Sequence, residues 1–189
     1  MNTKSIMIVG VGGQGTLLAS RILGNVVIDK GYDVKLSEVH GMSQRGGSVV
    51  TYVKYGEAVH SPIICKGEAD IILAFELLEA YRALPYLKEG GTIIVNNQKI
   101  NPMPVITGAA DYPEDIESKI KENANLISVD ALSLAKEAGN IKAVNVVLIG
   151  MLAKSSEIEK QAWIDTIKST VPPKFLEVNL KAFELGYNK

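Results

Sequence analysis

The chain has 189 residues, with 20 Lys and Arg against 21 Asp and Glu and 47% apolar residues, enough for one domain of ordinary size with a full core. A net charge of −1 gives no electrostatic basis for binding nucleic acid or an anionic membrane, and the longest apolar run, residues 146–153, is far too short to span a bilayer. A lone cysteine, Cys65, excludes an internal disulfide and any zinc or iron–sulfur site built from this chain's thiolates alone; with no signal-peptide pattern at the start, the expected location is cytoplasmic.

Residues 6–9, Ile-Met-Ile-Val, read as a strand covered on both faces. A G-x-G-x-x-G follows at Gly10, Gly12 and Gly15, and then a helix with Leu18, Ile22 and Val26 four apart, ending near Gly31. In a strand–loop–helix of this kind the first glycine allows the sharp turn, the second lets an anion approach the backbone, and the third lets the helix pack close to the strand. The free N–H groups at the helix start then favour a phosphate. Gly10, Gly12, Gly13, Gln14, Gly15 and Thr16 are therefore candidate ligand contacts; the other reading is a tight packing turn that holds nothing.

A second strand over residues 33–39 delivers Glu38, where a dinucleotide fold keeps the acid that holds a ribose hydroxyl; a solvated strand-end carboxylate is the alternative. The next loop contains Ser43, Gln44, Arg45, Gly46 and Gly47. Arg45 is the best cation for a bidentate phosphate or carboxylate contact, with glycines leaving room beside it, or else it anchors its own loop or a partner subunit. Ser43 does not form a nucleophile elbow, because Arg45 stands where a glycine belongs and a strand follows instead of a helix. His40 and His60 have no partners at metal-ligand spacing, so no metal site is expected and no residue is given a catalytic role.

Residues 48–55 are β-branched and aromatic and reach Gly56-Glu57, after which residues 58–60 read as the return strand of a hairpin. Further strands are expected over residues 70–75, 92–95 and 126–129, with helices over residues 76–87 and 111–124, the latter with Pro113 in its first turn. Asp130 should cap a helix running to Ala138. Residues 144–153 are apolar nearly all round and read as a buried helix, with Asn145 the polar exception. Ser156 and Glu159 have capping-box spacing for a helix ending near Thr170, and a last helix puts Leu176, Leu180 and Phe183 on one face. The expected fold class is α/β: a three-layer α/β/α, Rossmann-like single domain over residues 1–189, its mostly parallel sheet carrying an inserted antiparallel β-hairpin. Ligands gather beyond the carboxyl ends of such strands, where Glu76, Asn96, Asn97 and Asp130 also lie.

With those residues in view, the chain resembles the small, gamma-type subunits of the 2-oxoacid:ferredoxin oxidoreductases, the indolepyruvate branch above all. The likeness is carried by Gly10-Val11-Gly12-Gly13-Gln14-Gly15 and by the run from Ser37 through Gly47, then by Asp70 to Glu76, Glu79-Ala80-Tyr81-Arg82, Gly90-Gly91, Asn145 and Gly150. It implies a heteromeric enzyme that oxidatively decarboxylates an aryl 2-oxoacid to an acyl-CoA and passes the electrons to ferredoxin. The Gly-Asp-Gly…Asn signature of thiamine-binding chains is absent, so thiamine diphosphate, magnesium and the iron–sulfur clusters are expected on a large partner subunit, with this chain inactive alone. The glycine loop and Arg45 would then contact the phosphates of coenzyme A. Competing readings are a free-standing NAD(P)- or FAD-binding module, for which the glycine loop and Glu38 argue, and a non-enzymatic interaction subunit.

Overall fold

The computed structural model describes residues 3–38 and 47–189. The expectations for His40, Ser43, Gln44, Arg45 and Gly46 lie outside the described residues. Six strands form one sheet: β1 (Lys4–Val11), β2 (Asp33–Glu38), β3 (Ser48–Gly56), β4 (Ala69–Ala74), β5 (Leu87–Asn96) and β6 (Asn125–Val129), in spatial order β2-β3-β1-β4-β5-β6. β1, β4, β5 and β6 run parallel, while β3 is antiparallel to both β1 and β2.

The period-two alternation of β1 divides the core. Ile6 and Ile8 face one apolar cluster, Met7 and Val9 the other, and none of the four is more than 3% exposed. The first face is covered by α1 (Thr16–Asp29), α5 (Ala131–Ala138), α6 (Val144–Lys154), α7 (Lys160–Thr170) and α8 (Leu176–Tyr187); the second by α2 (Leu77–Ala83) and α4 (Ile116–Lys121). A short helix, α3 (Met103–Ile106), sits in the connector after β5. Every residue of α6 from Val144 to Ala153 is buried, because the helix lies between β5, α1, α5 and α8; this is why its sequence has no polar face.

Four local expectations are corrected. The antiparallel insertion exists, but residues 58–60 are not its return strand. Both edges of β3 are already taken by β1 and β2, and the Val59 N–H instead donates to Asp33 Oδ2 at 2.8 Å. The helix expected to run to residue 87 stops at Ala83, gives way to a 3-10 turn at Leu84–Tyr86 that contains Pro85, and yields Leu87 to β5. The helix expected from residue 111 begins at Ile116, after Asp115 at φ 56°, leaving Pro113 outside it. No capping box forms at Ser156 and Glu159: Ser156 Oγ bonds back to Ala153 O, and α7 starts at Lys160 without a side-chain cap.

Candidate functional site

β1 ends against β4, and the loop after it is tied down from three sides. Val11 N–H donates to Gln14 Oε1 at 2.7 Å, and Gln14 Nε2 donates to Phe75 O at 3.0 Å, so this side chain ties its own loop to the end of β4. A Cβ on Gly10 would lie 2.9 Å from Phe75 Cβ, which is why the first glycine is needed. Gly12 N–H donates to Gly47 O at 2.9 Å, and Asn145 Nδ2 donates to Gly15 O at 3.2 Å. Gly13 and Gly15 adopt φ of 97° and 83°, and Gly15 is the N-cap of α1.

These bonds sort the candidate residues. Among the described residues, the N–H groups of Gly13, Gly15, Thr16 and Leu17 find no acceptor; α1 has no side-chain cap and no acid in its first turn. Free N–H groups at a helix N-terminus suit an anion by geometry and by dipole. Gln14 and Gly12 have their polar groups engaged within the fold. Glu38 accepts from Ser20 Oγ at 2.7 Å, and its row of the sheet runs through Thr51 to Ile8, so a whole strand separates it from β1.

Two cavities flank the loop. The larger, about 590 Å³, lies between Gly13 and Gly15 on one wall and Ile141, Lys142, Asn145 and Phe175 on the other. The smaller, about 290 Å³, lies between Gly12, Thr16 and the start of β3 at Val49 and Thr51. Two contributors to the larger one were not singled out by the sequence. Lys142 is an ordinary-looking surface lysine in a 3-10 turn, and Gln98 follows an Asn pair whose side chains drew attention instead. Asn145, noted as a polar misfit in an apolar helix, turns out to join α6 to the glycine loop.

The other strand-end residues serve the frame. Asn96, fully buried, donates to Phe75 O at 3.2 Å and accepts from Ala131 N–H at 3.1 Å. Buried Glu76 caps α2 through Glu79 N–H at 2.9 Å and clasps the connector through Ile100 N–H (3.0 Å) and Tyr112 OH (2.6 Å). Burial, and then the Glu76 carboxylate, push the Tyr112 hydroxyl well above the usual tyrosine range. Glu79 pairs with Arg82 at 2.6 Å and accepts from Ser48 Oγ. Asp130 caps α5, accepting from Ser133 N–H at 2.9 Å; the Ser133 hydroxyl and N–H lower its pKa below the ordinary 3.8. His60 and Cys65 are exposed. Among the described residues no group of three or more His, Cys, Asp or Glu could hold a metal, and no helix is long and apolar enough to cross a membrane.

A profile of the pyruvate ferredoxin/flavodoxin oxidoreductase family matches residues 5–189. Indolepyruvate oxidoreductase subunit IorB of Thermococcus kodakarensis is 44% identical over 192 aligned positions, covering 98% of this chain and 95% of that one. The crystal structure of a keto/oxoacid ferredoxin oxidoreductase gamma subunit from Geobacter sulfurreducens superposes with a TM-score of 0.73 at 25% identity, covering 98% of this chain and 96% of that one. A 2-oxoglutarate:ferredoxin oxidoreductase from Magnetococcus marinus, solved with 2-oxoglutarate, coenzyme A and succinyl-CoA bound, shares the fold with a TM-score of 0.77 at 18% identity; all of this chain matches 31% of that one.

Proposed function

The chain belongs to the pyruvate ferredoxin/flavodoxin oxidoreductase family, and from that membership we propose that it is the small subunit of a heteromeric indolepyruvate:ferredoxin oxidoreductase and holds coenzyme A phosphates at its glycine loop. The observation that carries the second half is the set of N–H groups at Gly13, Gly15, Thr16 and Leu17 with no acceptor among the described residues: all four line the smaller cavity, and Gly13 and Gly15 also line the larger one, which presents Lys142. Backbone amides and a helix dipole suit a diphosphate, and an ammonium beside them adds charge without fixing geometry. Arg45, Ser43 and Gln44 remain candidate contacts from the segment between β2 and β3. The protein of the same fold from Magnetococcus marinus was solved with coenzyme A and succinyl-CoA bound, which supports this choice of nucleotide.

Thiamine diphosphate with magnesium and the iron–sulfur clusters belong on a larger partner in this reading. One exposed cysteine cannot supply the four thiolates a cluster takes. Electrons then reach ferredoxin through the complex. The dinucleotide-module reading is disfavoured by the sheet: β3 intervenes between β2 and β1, which carries Glu38 about 10 Å sideways, two strand spacings from the loop it would have to serve.

Purification from the native source tests the assembly: a larger chain bearing iron and thiamine should accompany this one. Turnover of a substrate with a pyridine nucleotide by the isolated chain would overturn the reading. Within the complex, Lys142→Ala and Arg45→Ala should each raise the KM for coenzyme A about tenfold, the value of one charge-assisted contact, with kcat nearly unchanged. An unmoved KM in both removes the glycine-loop site.

A further inference from the structure

The smaller cavity, about 290 Å³, has a wall that the glycine loop does not supply: Val49 and Thr51, near the start of β3. We propose that this cavity is the oxyanion pocket of the loop, taking a diphosphate group, and that the Thr51 hydroxyl reaches the ligand from β3. This rests on the phosphate reading of the loop and adds to it the wall that β3 contributes.

Thr51 is the polar member of an apolar row. Val49, Thr51, Val53 and Tyr55 share one face of β3, and Val53 and Tyr55 belong to the core cluster that includes α1. Thr51 also pairs with Ile8 of that cluster, so its side chain points to the α1 side of the sheet, where the loop passes into the helix. Thr51 is 3% exposed, and Thr16, the first residue of α1, is 8% exposed. Neither hydroxyl has a hydrogen-bond partner, and neither is sealed off: among the described residues the one fully enclosed, unpaired side-chain nitrogen or oxygen is Trp163 Nε1. Both threonines line the smaller cavity. Buried hydroxyls are as a rule paired within the fold, so two left open on one cavity call for acceptors from outside the chain.

The rest of the lining says what kind of acceptor. The N–H groups of Gly13, Gly15, Thr16 and Leu17, with no acceptor among the described residues, border the same space, so donors converge from loop, helix and strand. No Asp or Glu among the described residues lines it; Glu38, in register with Thr51 on β2, accepts from Ser20 Oγ at 2.7 Å and lies outside the lining. Donors at a helix start, with no carboxylate beside them, suit an anion with several oxygens. Size agrees. A cavity of about 150 Å³ accepts benzene, so by proportion this one holds about eleven non-hydrogen atoms, against about nine in a diphosphate.

The full chain is titrated with inorganic pyrophosphate by calorimetry, with coenzyme A as competitor. The wild type should bind pyrophosphate saturably. Thr51→Val, which exchanges the hydroxyl for a methyl of similar size, should weaken binding about tenfold, the worth of one hydrogen bond to a charged group, and Thr51→Ser should restore most of it. The urea midpoint of the unliganded Thr51→Val chain should hold or rise, because the hydroxyl it loses has no partner in the fold. In the assembled enzyme Thr51→Val should raise the KM for coenzyme A by the same factor, with kcat nearly unchanged. No saturable pyrophosphate binding would overturn the proposal, as would equal affinities in wild type and Thr51→Val, or a serine variant no better than valine. A lower urea midpoint, or a Thr51→Val chain that does not fold, would mean that the hydroxyl serves the fold and would overturn it too. The two readings fail separately. Pyrophosphate binding that depends on Thr51 but is untouched by coenzyme A keeps the pocket and removes coenzyme A from it, whereas competition by coenzyme A that Thr51→Val leaves intact keeps coenzyme A and removes Thr51.

Discussion

Glycines at the crossing of α6 and α8 and in the loop after β1 are required for contrary reasons, and one of them for both. Where α6 crosses α8, a Cβ on Gly150 would lie 2.3 Å from Phe183 O, and one on Gly186 would lie 2.0 Å from Val147 O. The helices meet backbone to backbone, and the absent side chain is replaced by another part of the fold. In the glycine loop a Cβ on Gly13 would meet nothing within 4 Å; there the residue is required by φ of 97° and borders the larger cavity. Gly15 combines both causes, with φ of 83° and Asn145 Nδ2 at 2.6 Å from its would-be Cβ. A glycine with filled space around it is a packing device, whereas one with empty space answers to its backbone conformation, as at Gly31 and Gly67; Gly13 differs from those in bordering the larger cavity.

The largest effect should follow from filling the helix crossing. Gly186→Ala should cost about 3 kcal/mol in urea unfolding, because the new methyl can be placed only by moving α8 away from α6. Helix propensity alone favours alanine by about 1 kcal/mol, so a gain in stability would show that α8 can move away from α6 at little cost. Adding Gly150→Ala should cost less in the double variant than the sum of the singles, since both methyls open the same gap.

Gly15→Ala comes next, at about 2 kcal/mol from left-handed strain together with the collision at Asn145. Asn145→Ala removes the obstructing amide and also the bond to Gly15 O, and alone should cost about 1 kcal/mol. The pair should therefore be less damaging than the sum. Strict additivity in unfolding free energy would mean that strain at Gly15, not contact with α6, sets its cost.

Much of this frame could be read before the fold was known, for reasons tied to local chemistry. The β1–loop–α1 unit announces itself because apolar run, glycines and helical period lie within two dozen residues, and α6 because its burial leaves no polar stripe. Asp130 capping α5 follows from one side chain and one N–H three residues on. What escaped is what depends on distant partners. Strand order cannot be seen in residues 48–60, since a glycine turn after a β-branched run reads as a hairpin until β1 and β2 are known to occupy both edges of β3. The same holds at the site. Gln14 lies inside the motif and was a candidate ligand contact, yet its side chain reaches Phe75, sixty-one positions away; Lys142 enters the cavity only because α6 packs beside α1.

The smallest structural effect should give the sharpest functional one. Gly13→Ala meets no neighbour, so its cost to stability should be only the left-handed penalty, about 1 kcal/mol. Gly13→Asn should lose less still, because asparagine tolerates that conformation. Both side chains nevertheless project into open space at a residue that lines both cavities, and on the proposed function both should raise the KM for coenzyme A severalfold in the assembled enzyme. Strain and occupancy are thereby separated: if KM follows stability across the two variants, the loop acts through its conformation, whereas if asparagine restores stability and still impairs binding, the empty volume is where the phosphates sit. A KM unmoved by either would assign Gly13 to turn geometry alone and bring it into line with the packing glycines of α6 and α8.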